Sequence, residues 1–361
     1  MSVRIITGNS LDVLPTMEAA SMPCCVTSPP YYGLRDYGVP PNAWPAVEFA
    51  PMPGLPMTDI PAQTACLGLE TDPQAYIGHM LLIFRELWRV MRDDGVVWVN
   101  MGDSYATKPH GSGSTHDPKY AGGRNRAEGG GANRRPIPGV KHKDLMGMPW
   151  RLAFALQANG WYLRQDIIWS KPNPMPESVT DRCTKAHEYF FMLTKSERYY
   201  FDAEAIKEKA NTNTYARRSV KMPDGWDSGK GTHGSFHKEG REKGQRKLAA
   251  PGSGGKNNSS MDAAMAVMPE IRNKRSVWTV ATEGFKEAHF ATFPPELIEP
   301  CIKATCPPGG TVLDIFGGAG TVGLVADRLQ RNAVLIDIKP EYSVMQENRI
   351  IGDSPLFAEV N

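Results

Sequence analysis

The stretch TVLDIFGGAGT, residues 311–321, decides the fold of this chain. Apolar and β-branched residues at its start predict a buried strand, and its glycines predict a tight turn into a helix that continues to Leu329. Residues 332–338 then predict a second strand. Strand, glycine turn, helix and strand in this order indicate one unit of a parallel α/β sheet, in which ligands bind at the carboxyl ends of the strands.

The rest of the chain continues this alternation of strands and helices. Apolar periodicity predicts helices over residues 73–91, 149–159 and 295–305, a last helix from Pro340, and a short helix over residues 11–17 that Ser10 caps. Predicted strands cover residues 3–7, 24–27, 96–100 and 161–169 and a pair at 187–194 and 198–201, whereas residues 39–72 are rich in proline and predict irregular structure. The expected fold is a doubly wound, mostly parallel α/β sheet.

The glycine turn also predicts a binding site for an adenosyl group. Glycines let the backbone approach a ligand closely. Asp337 ends the second strand seventeen residues after Gly320, where a carboxylate can accept hydrogen bonds from ribose hydroxyls. The turn lacks G-x-G-x-x-G spacing and the lysine of a phosphate loop, which disfavours nicotinamide dinucleotides and nucleoside triphosphates. A tight strand-to-helix connection without a ligand is the alternative explanation.

Residues 27–31, TSPPY, form the most specific motif of the chain. Two prolines cannot continue a central strand, so the chain must turn there. The amino nitrogen of cytosine or adenine is a poor nucleophile, because its lone pair is delocalised into the ring. Two acceptors on the amino hydrogens, the Ser28 hydroxyl and the Pro29 carbonyl, favour a localised lone pair, and both prolines, Pro29 and Pro30, stiffen the turn. Tyr31 offers a ring on which a flipped base can stack; a rigid turn without chemistry is the alternative.

Together the two motifs resemble the catalytic and cofactor motifs of the DNA amino-methyltransferases of restriction–modification systems and phages. The catalytic motif comes first, an order that resembles the permuted β class of this family. Three further segments are similar to family segments: residues 8–14 to the third strand, 160–176 to the lining of the base pocket, and 289–294 to the segment that helps hold the methionine end of the cofactor. The resemblance implies a Rossmann-like fold, S-adenosylmethionine as the cofactor, and methyl transfer to an amino group of a flipped base.

The candidate site residues follow from the two motifs and from this resemblance. The expected catalytic residues are Ser28, Pro29, Pro30 and Tyr31. The expected cofactor contacts are Asn9, Thr292, Asp314, Phe316, Gly317, Gly318, Gly320, Thr321 and Asp337, and the expected base pocket includes Trp169 and Lys171. Asn9 departs from the family, which usually has an acid there; its carbonyl oxygen can still accept a hydrogen bond, without charge assistance.

The target base is less sharply defined by the sequence. Ser28 in place of an aspartate resembles the subgroup that methylates N4 of cytosine, whereas aspartate is more often linked to N6 of adenine; nothing physical in either side chain forbids the other amine. A cytosine-C5 enzyme needs a thiolate, and Cys24 follows a proline, but it lies in an apolar stretch without basic neighbours, and that family has the reverse motif order. A DNA-binding protein without activity is the non-enzymatic alternative.

Two polar inserts carry much of the positive charge. Residues 107–143 contain eight Lys and Arg against two acids, and residues 207–256 contain twelve against five. Solvated linkers are one explanation, and a surface for the phosphates of double-stranded DNA is the other. The position of the second insert between the base-pocket segment and the cofactor motif favours a role in recognising the DNA target.

The inserts define the expected domain organisation. Residues 1–202 are expected to form the catalytic half of a methyltransferase domain, and residues 277–361 its cofactor half. Residues 203–276 are expected to form a partly flexible target-recognition insert, in which Arg217 and Arg218 contact phosphates or guanine.

The global composition is that of an ordinary globular protein. The chain has 361 residues, of which 41% are hydrophobic and 22% charged, with a net charge of +2. The amino terminus is too short and too polar for a signal peptide, and no apolar run approaches the ~20 residues that span a bilayer, so a cytosolic protein is expected. The six cysteines form no C-x-x-C pair, so no metal site is expected. A cognate restriction endonuclease and the oligomeric state are left open.

Overall fold

A nine-stranded sheet with helices on both faces forms the larger part of the protein. The computed structural model describes residues 2–106, 139–209, 271–284, 292–353 and 359–360. Its helices are α1 (Ser10–Val13), α2 (Pro73–Val90), α3 (Met148–Ala158), α4 (Pro295–Thr305), α5 (Thr321–Arg328) and α6 (Pro340–Asp353). Its strands are β1 (Ser2–Thr7), β2 (Met22–Thr27), β3 (Asn42–Trp44), β4 (Val47–Phe49), β5 (Thr58–Ile60), β6 (Gln63–Ala65), β7 (Met91–Met101), β8 (Tyr162–Ser170), β9 (His187–Thr194), β10 (Glu208–Lys209), β11 (Ile271–Arg272), β12 (Val277–Thr279), β13 (Thr311–Asp314), β14 (Asn332–Asp337) and β15 (Glu359–Val360).

The strands of the large sheet lie in the order β12–β8–β9–β7–β2–β13–β14–β1–β15. Within the part of the chain that the structure describes, β9 alone runs antiparallel to its neighbours in this sheet. The expected doubly wound, mostly parallel sheet is therefore confirmed. The predicted pairing of β9 with residues 198–201 was wrong: those residues form no strand, and β9 is held between β7 and β8, where its apolar side chains are buried.

Alternating side chains of the central strands divide the core into two layers. Cys25 and Leu313 belong to the layer that packs against α2 and α3. Their sequence neighbours Cys24 and Val312 belong to the opposite layer, which packs against α4 and α5. Successive residues of a strand point to opposite faces. Because both faces are covered by helices, β2 can be apolar along most of its length rather than alternating with polar residues.

Residues 39–72, predicted to be irregular, contain two short antiparallel strand pairs. Strand β3 pairs with β6, and β4 pairs with β5. Trp44 is buried and donates its indole N–H to the Ala65 carbonyl at 2.9 Å. Val47 packs so closely on α2 that a Cβ at Gly78 would lie 2.8 Å from its Cγ1. The prediction of irregular structure was wrong here, because strands of three residues carry almost no periodic signal.

The first helix is shorter than expected and has a different cap. Asn9 is its N-cap, and the Asn9 Oδ1 accepts a hydrogen bond from the Leu11 N–H at 3.0 Å. Ser10, the predicted cap, instead donates its hydroxyl to the Ile315 carbonyl beyond β13. This hydrogen bond ties the start of α1 to the glycine turn.

The chain divides into two units, one formed by Met1–Ile206 and Arg275–Asn361 and the other by Lys207–Lys274. The first unit contains the nine-stranded sheet, and the second contains the antiparallel pair β10–β11. Most of the first polar insert, together with Arg217 and Arg218, lies outside the described residues, so the recognition role of the second insert remains a prediction. Across the described ranges, no helix combines the length and apolar character needed to cross a membrane.

Candidate functional site

A cleft of about 310 Å³ lies at the carboxyl ends of β1, β2, β13 and β14. These strands are parallel, so their ends meet at one edge of the sheet and the residues that follow them line a common cleft. The TSPPY and glycine motifs are joined directly, because the Thr27 hydroxyl donates a hydrogen bond to Asp314 Oδ1 at 2.7 Å. Two motifs that lie 287 positions apart in the sequence thus form one site.

Asp314 is a buried carboxyl group that nevertheless borders the cleft. Its Oδ1 accepts hydrogen bonds from the Thr27 hydroxyl and, at 3.0 Å, from the Phe316 N–H. Among the described residues, none donates to its Oδ2. Burial raises the pKa of Asp314 to about 7, against the opposing effect of the two hydrogen bonds. A buried carboxyl with one oxygen left over is suited to bind a cationic group.

The glycines of the turn serve two different purposes. Gly317 and Gly318 both line the cleft. A Cβ at Gly318 would meet only the Phe316 carbonyl oxygen at 3.7 Å, so this glycine leaves the backbone accessible, whereas a Cβ at Gly317 would lie 2.9 Å from Gln346 Nε2. Gly320 is the N-cap of α5 with a φ of 73°, and it is not among the residues that line the cleft. A Cβ at Gly320 would lie 3.1 Å from the Cα of Gln346 in α6. Helix packing and a left-handed backbone therefore account for glycine at that position.

Asp337 ties the end of β14 to the glycine turn. Its Oδ2 accepts a hydrogen bond from the Gly318 N–H at 2.8 Å, and its Oδ1 accepts one from the Lys339 N–H at 2.9 Å. Burial raises the pKa of this carboxyl group. Each carboxylate oxygen retains a further lone pair, and the side chain borders the cleft, so it can still accept hydrogen bonds from a ligand.

The remaining expected cofactor contacts lie around the same cleft. Phe316, Thr321, Thr292 and Asn9 all line it. The Asn9 Oδ1 already accepts the capping hydrogen bond of α1. Any acceptor role toward the amino group of an adenine would therefore depend on the second lone pair of an oxygen that is already engaged.

The TSPPY turn is held in place from outside the motif. All four of its residues after Thr27 line the cleft. The Tyr76 hydroxyl on α2 donates to the Pro30 carbonyl at 2.9 Å, and the Gly33 N–H donates to the Gly68 carbonyl at 2.8 Å. Helix α2 therefore holds the turn itself, and the proline-rich residues 39–72 hold the chain just after it.

Two residues that were not among the predicted site residues, Glu188 and Asn100, lie beside Tyr31. The Tyr31 hydroxyl is 2.9 Å from Asn100 Oδ1 and 2.9 Å from Glu188 Oε2, and the Ser28 hydroxyl donates to it at 3.4 Å. Burial, reinforced by the charge of Glu188, raises the pKa of Tyr31 well above its usual value. A signal was present in the sequence, since Glu188 is a single acid within the apolar strand β9, and acids are rarely placed there without a partner.

The two expected base-pocket residues are connected to this cluster. Lys171 forms an ion pair with Glu188, and its Nζ lies 4.1 Å from the centre of the Trp169 ring. Trp169 is fixed in turn, because its indole N–H donates to the Val280 carbonyl at 2.8 Å. Both side chains line the cleft. The cleft thus holds a positioned cation over an aromatic face.

Cys24 does not reach the cleft. Its side chain is fully buried within β2 and contacts the Thr305 hydroxyl at 3.3 Å. Burial raises the pKa of the thiol far above its usual value, so the thiol stays protonated and unreactive. This environment argues against the cytosine-C5 alternative, which requires a thiolate nucleophile.

Comparison with known proteins places both motifs inside a single family match. A family model described as DNA methylase matches residues 22–347. The Type II methyltransferase M.Cfr9I of Citrobacter freundii is 38% identical over 349 residues, which cover 97% of this chain and 88% of that protein. The Type II methyltransferase M.SmaI of Serratia marcescens is 35% identical over 351 residues, which cover 97% of this chain and 91% of that protein.

Two solved structures are similar in fold. The PvuII DNA methyltransferase, described as cytosine-N4-specific, has a TM-score of 0.55 at 17% identity, and the match covers 97% of this chain and 86% of that one. A protein of Thermus thermophilus that was solved in complex with S-adenosyl-L-methionine has a TM-score of 0.52 at 18% identity, and the match covers 99% of both chains. At these identities the similarity is one of fold.

Proposed function

Because the chain belongs to the N6/N4 DNA methylase family, we propose that it methylates N4 of a cytosine flipped out of double-stranded DNA. Membership of this family makes it a DNA methyltransferase that uses S-adenosylmethionine. One observation carries the proposed chemistry: Ser28 and Pro29 line the same cleft as Asp314. Two acceptors for an amino group are thereby placed in one site with a carboxyl group suited to a cationic ligand.

The residues of the cleft fit S-adenosylmethionine, which supplies an activated methyl group when it is bound. Asp314 offers its Oδ2 to the ammonium group of the methionine end, and a nearby cation favours the ionised form of this buried carboxyl. Asp337 can accept hydrogen bonds from ribose hydroxyls through its remaining lone pairs. Phe316 and Ile338 line the cleft as well and provide apolar surface for an adenine ring.

Ser28 and Pro29 prepare the amino group of the base for attack. Each accepts a hydrogen bond from one amino hydrogen, which favours a nitrogen with a localised lone pair. The turn does not need to reorganise for this, because Pro30 is held by the Tyr76 hydroxyl at 2.9 Å and such preorganised groups are the most effective in catalysis. The Tyr31 ring provides the surface on which the flipped base stacks.

The choice of cytosine N4 rests on Ser28 itself. A serine at this position resembles the N4 subgroup of the family, whereas an aspartate is more often linked to adenine N6. The PvuII enzyme, described as cytosine-N4-specific, has the same fold, so the fold accommodates this chemistry. Adenine N6 is the alternative target, and the same pair of acceptors could hold its amino group.

We propose that residues 203–276 recognise the DNA target. The support is the charge of the insert over residues 207–256, with twelve Lys and Arg against five acids, since neutralising phosphates releases counterions and drives binding. Arg217 and Arg218 are the proposed contacts to phosphate or guanine. The Type II names of the relatives support a restriction endonuclease of the same specificity as a functional partner.

Analysis of methylated DNA at the level of nucleosides tests the function. DNA treated with the purified protein and isotopically labelled S-adenosylmethionine is digested to nucleosides, which are separated by chromatography and identified by mass spectrometry. N4-methylcytosine is expected. Separation before mass analysis is required because C5-methylcytosine has the same mass. Labelled N6-methyladenine or C5-methylcytosine would contradict the proposed base, and absence of label would contradict the activity.

The same methylated DNA tests the proposed partner. It is challenged with a panel of Type II endonucleases, and protection from one of them is the expected result. Such protection would also identify the recognition sequence. Cleavage by every endonuclease of the panel would show that none of them is the partner.

A further inference from the structure

We propose that Glu188 receives, through Tyr31 and Ser28, the proton that the target amino group releases during methyl transfer. The inference rests on the proposed function and concerns the same cleft. Three hydroxyl or carboxyl groups carry it: Ser28 donates to the Tyr31 hydroxyl at 3.4 Å, and the Tyr31 hydroxyl is 2.9 Å from Glu188 Oε2. A continuous hydrogen-bonded path therefore runs from the acceptor of the base to a carboxylate.

Proton counting around the Tyr31 hydroxyl shows room for one more proton. Three oxygens contact it: Ser28 Oγ, Asn100 Oδ1 and Glu188 Oε2. When Glu188 is ionised, the two hydroxyls supply two protons for these three contacts, so one contact at 2.9 Å lacks a proton. A third proton on Glu188 Oε2 would give every contact its own hydrogen. The cluster can therefore take up a proton with no more than a reorientation of its hydroxyl hydrogens.

The orientation of the Asn100 amide is fixed by its other contacts. Its Nδ2 donates to the Tyr189 carbonyl at 3.1 Å and to Glu188 Oε2 at 3.3 Å. A flipped amide would turn its oxygen toward that carbonyl and would lose both bonds. Because an amide cannot accept the released proton, Glu188 is the acceptor at this end of the path.

The step balances in atoms and charge. The bond between N4 and the methyl carbon forms as the bond between that carbon and the sulfonium sulfur breaks, and sulfur keeps the electron pair. The N4 proton passes to Ser28 Oγ, the Ser28 proton passes to the Tyr31 oxygen, and the Tyr31 proton passes to Glu188 Oε2, which becomes a carboxylic acid. The Glu188 side chain is 19% exposed, so it can release the proton to water between turnovers.

The path also explains how Ser28 presents a lone pair to the base. A hydroxyl group can act as donor or acceptor, and an amino hydrogen needs an acceptor. The Tyr31 hydroxyl takes the Ser28 proton, which leaves the lone pairs of Ser28 Oγ for the base. Burial keeps the pKa of Tyr31 well above its usual value, so the phenol retains a proton that it can pass on.

Three positively charged or titratable groups face Glu188. Lys171 pairs with it, and Lys185 and His187 also interact with its charge. Burial lowers the pKa of His187 below its usual value, so the imidazole is largely neutral at neutral pH. The two lysines place positive charge beside the carboxyl group that is to receive the proton.

Single-turnover methylation by Glu188→Gln across a range of pH tests the relay. With saturating cofactor, the rate of the unmodified protein should fall as pH decreases and the carboxylate becomes protonated. Glu188→Gln should be about 100-fold slower at neutral pH, at the lower end of the range for a positioned proton transfer, and should lack this acidic limb. His187→Gln should retain the acidic limb, which would show that the limb arises from Glu188 and not from its neighbour His187.

A relocated carboxylate provides the decisive control. Asn100 Oδ1 is as close to the Tyr31 hydroxyl as Glu188 Oε2 is, so Asn100→Asp in the Glu188→Gln background should restore the rate to within about tenfold and restore the acidic limb. Tyr31→Phe keeps a ring for stacking but interrupts the path. Combined with Glu188→Gln it should cost little more than either change alone, because residues that act as one unit are not additive.

The outcomes separate the relay from the proposed function. If the unmodified protein forms no N4-methylcytosine, the proposed function itself is wrong. If it does, and Glu188→Gln has the same rate and the same acidic limb, the relay is wrong and the function stands. Cofactor affinity measured by calorimetry serves as the check on folding. If Glu188→Gln does not bind the cofactor, the single variant Tyr31→Phe tests the relay instead. The relay predicts that the rate of Tyr31→Phe lacks the acidic limb, and a retained limb would show that the relay is wrong.

Discussion

Replacing Asp314 with asparagine should remove the pH dependence of cofactor binding. Burial raises the pKa of this carboxyl to about 7, so in the free protein it is neutral below that pH and charged above it. An ammonium group binds the ionised form, and affinity should therefore rise as pH increases up to about 7. Asparagine keeps an Oδ1 that can accept both existing hydrogen bonds, from Thr27 and from the Phe316 N–H.

The magnitude follows from the titration of one group. With a pKa of about 7, roughly half of the carboxyl groups are ionised at pH 7.0 and about 3% at pH 5.5, so affinity should fall about 16-fold between these values. An α-amino group stays largely protonated over this range. At pH 7.0, loss of the charged acceptor should weaken binding by about 1.5–3 kcal/mol, or roughly 10- to 150-fold.

Titration calorimetry with S-adenosylhomocysteine measures both quantities, because this product carries the same ammonium group and cannot react. Asp337→Asn is the matched control: it should weaken binding by about 1–3 kcal/mol while retaining most of the pH dependence. If Asp314→Asn binds with unchanged affinity and unchanged pH dependence, Asp314 does not contact the ammonium group and its placement in the cofactor site is wrong.

Three further predictions concern the base, the thiol and the insert. Ser28→Ala should slow methyl transfer strongly with cofactor affinity nearly unchanged, and a normal single-turnover rate would reject its acceptor role. Cys24→Ser should retain methyl transfer, since the thiol is buried and protonated; loss of transfer in a folded variant would favour C5 chemistry. Deleting residues 207–256 should abolish specific DNA binding in gel-shift assays but preserve cofactor binding; unchanged sites and salt dependence would identify the insert as a linker.

The central fold could be predicted from the sequence because its signals are local. The strands that precede the two motifs are short apolar runs, and the prolines and glycines that end them have direct conformational meaning. The same locality explains why the motif residues could be named from the sequence alone: they stand at the ends of strands that belong to one parallel sheet.

Features that depend on distant residues were not accessible in this way. Glu188 becomes a partner of Tyr31 only because β9 inserts between β7 and β8, and no local pattern specifies that neighbour. The pairing of β3 with β6 around β4 and β5 rests on burial against α2 rather than on periodicity. The raised pKa of Asp314 likewise arises from its surroundings in the assembled sheet, since its own sequence context is an ordinary strand end.

The junction between β2 and β13 has a consequence for how the protein is made. Strand β1 pairs with β14 and β15, whereas β2 pairs with β7 on one side and with β13 on the other. Strand β1 and one edge of β2 therefore wait for partners that are synthesised much later in the chain. At about 5–20 residues per second, β1 remains without its partner for roughly 15–65 s. The site therefore assembles among the last events of folding. A chain whose synthesis stops before β13 has unpaired strand edges and lacks the cofactor half of the site.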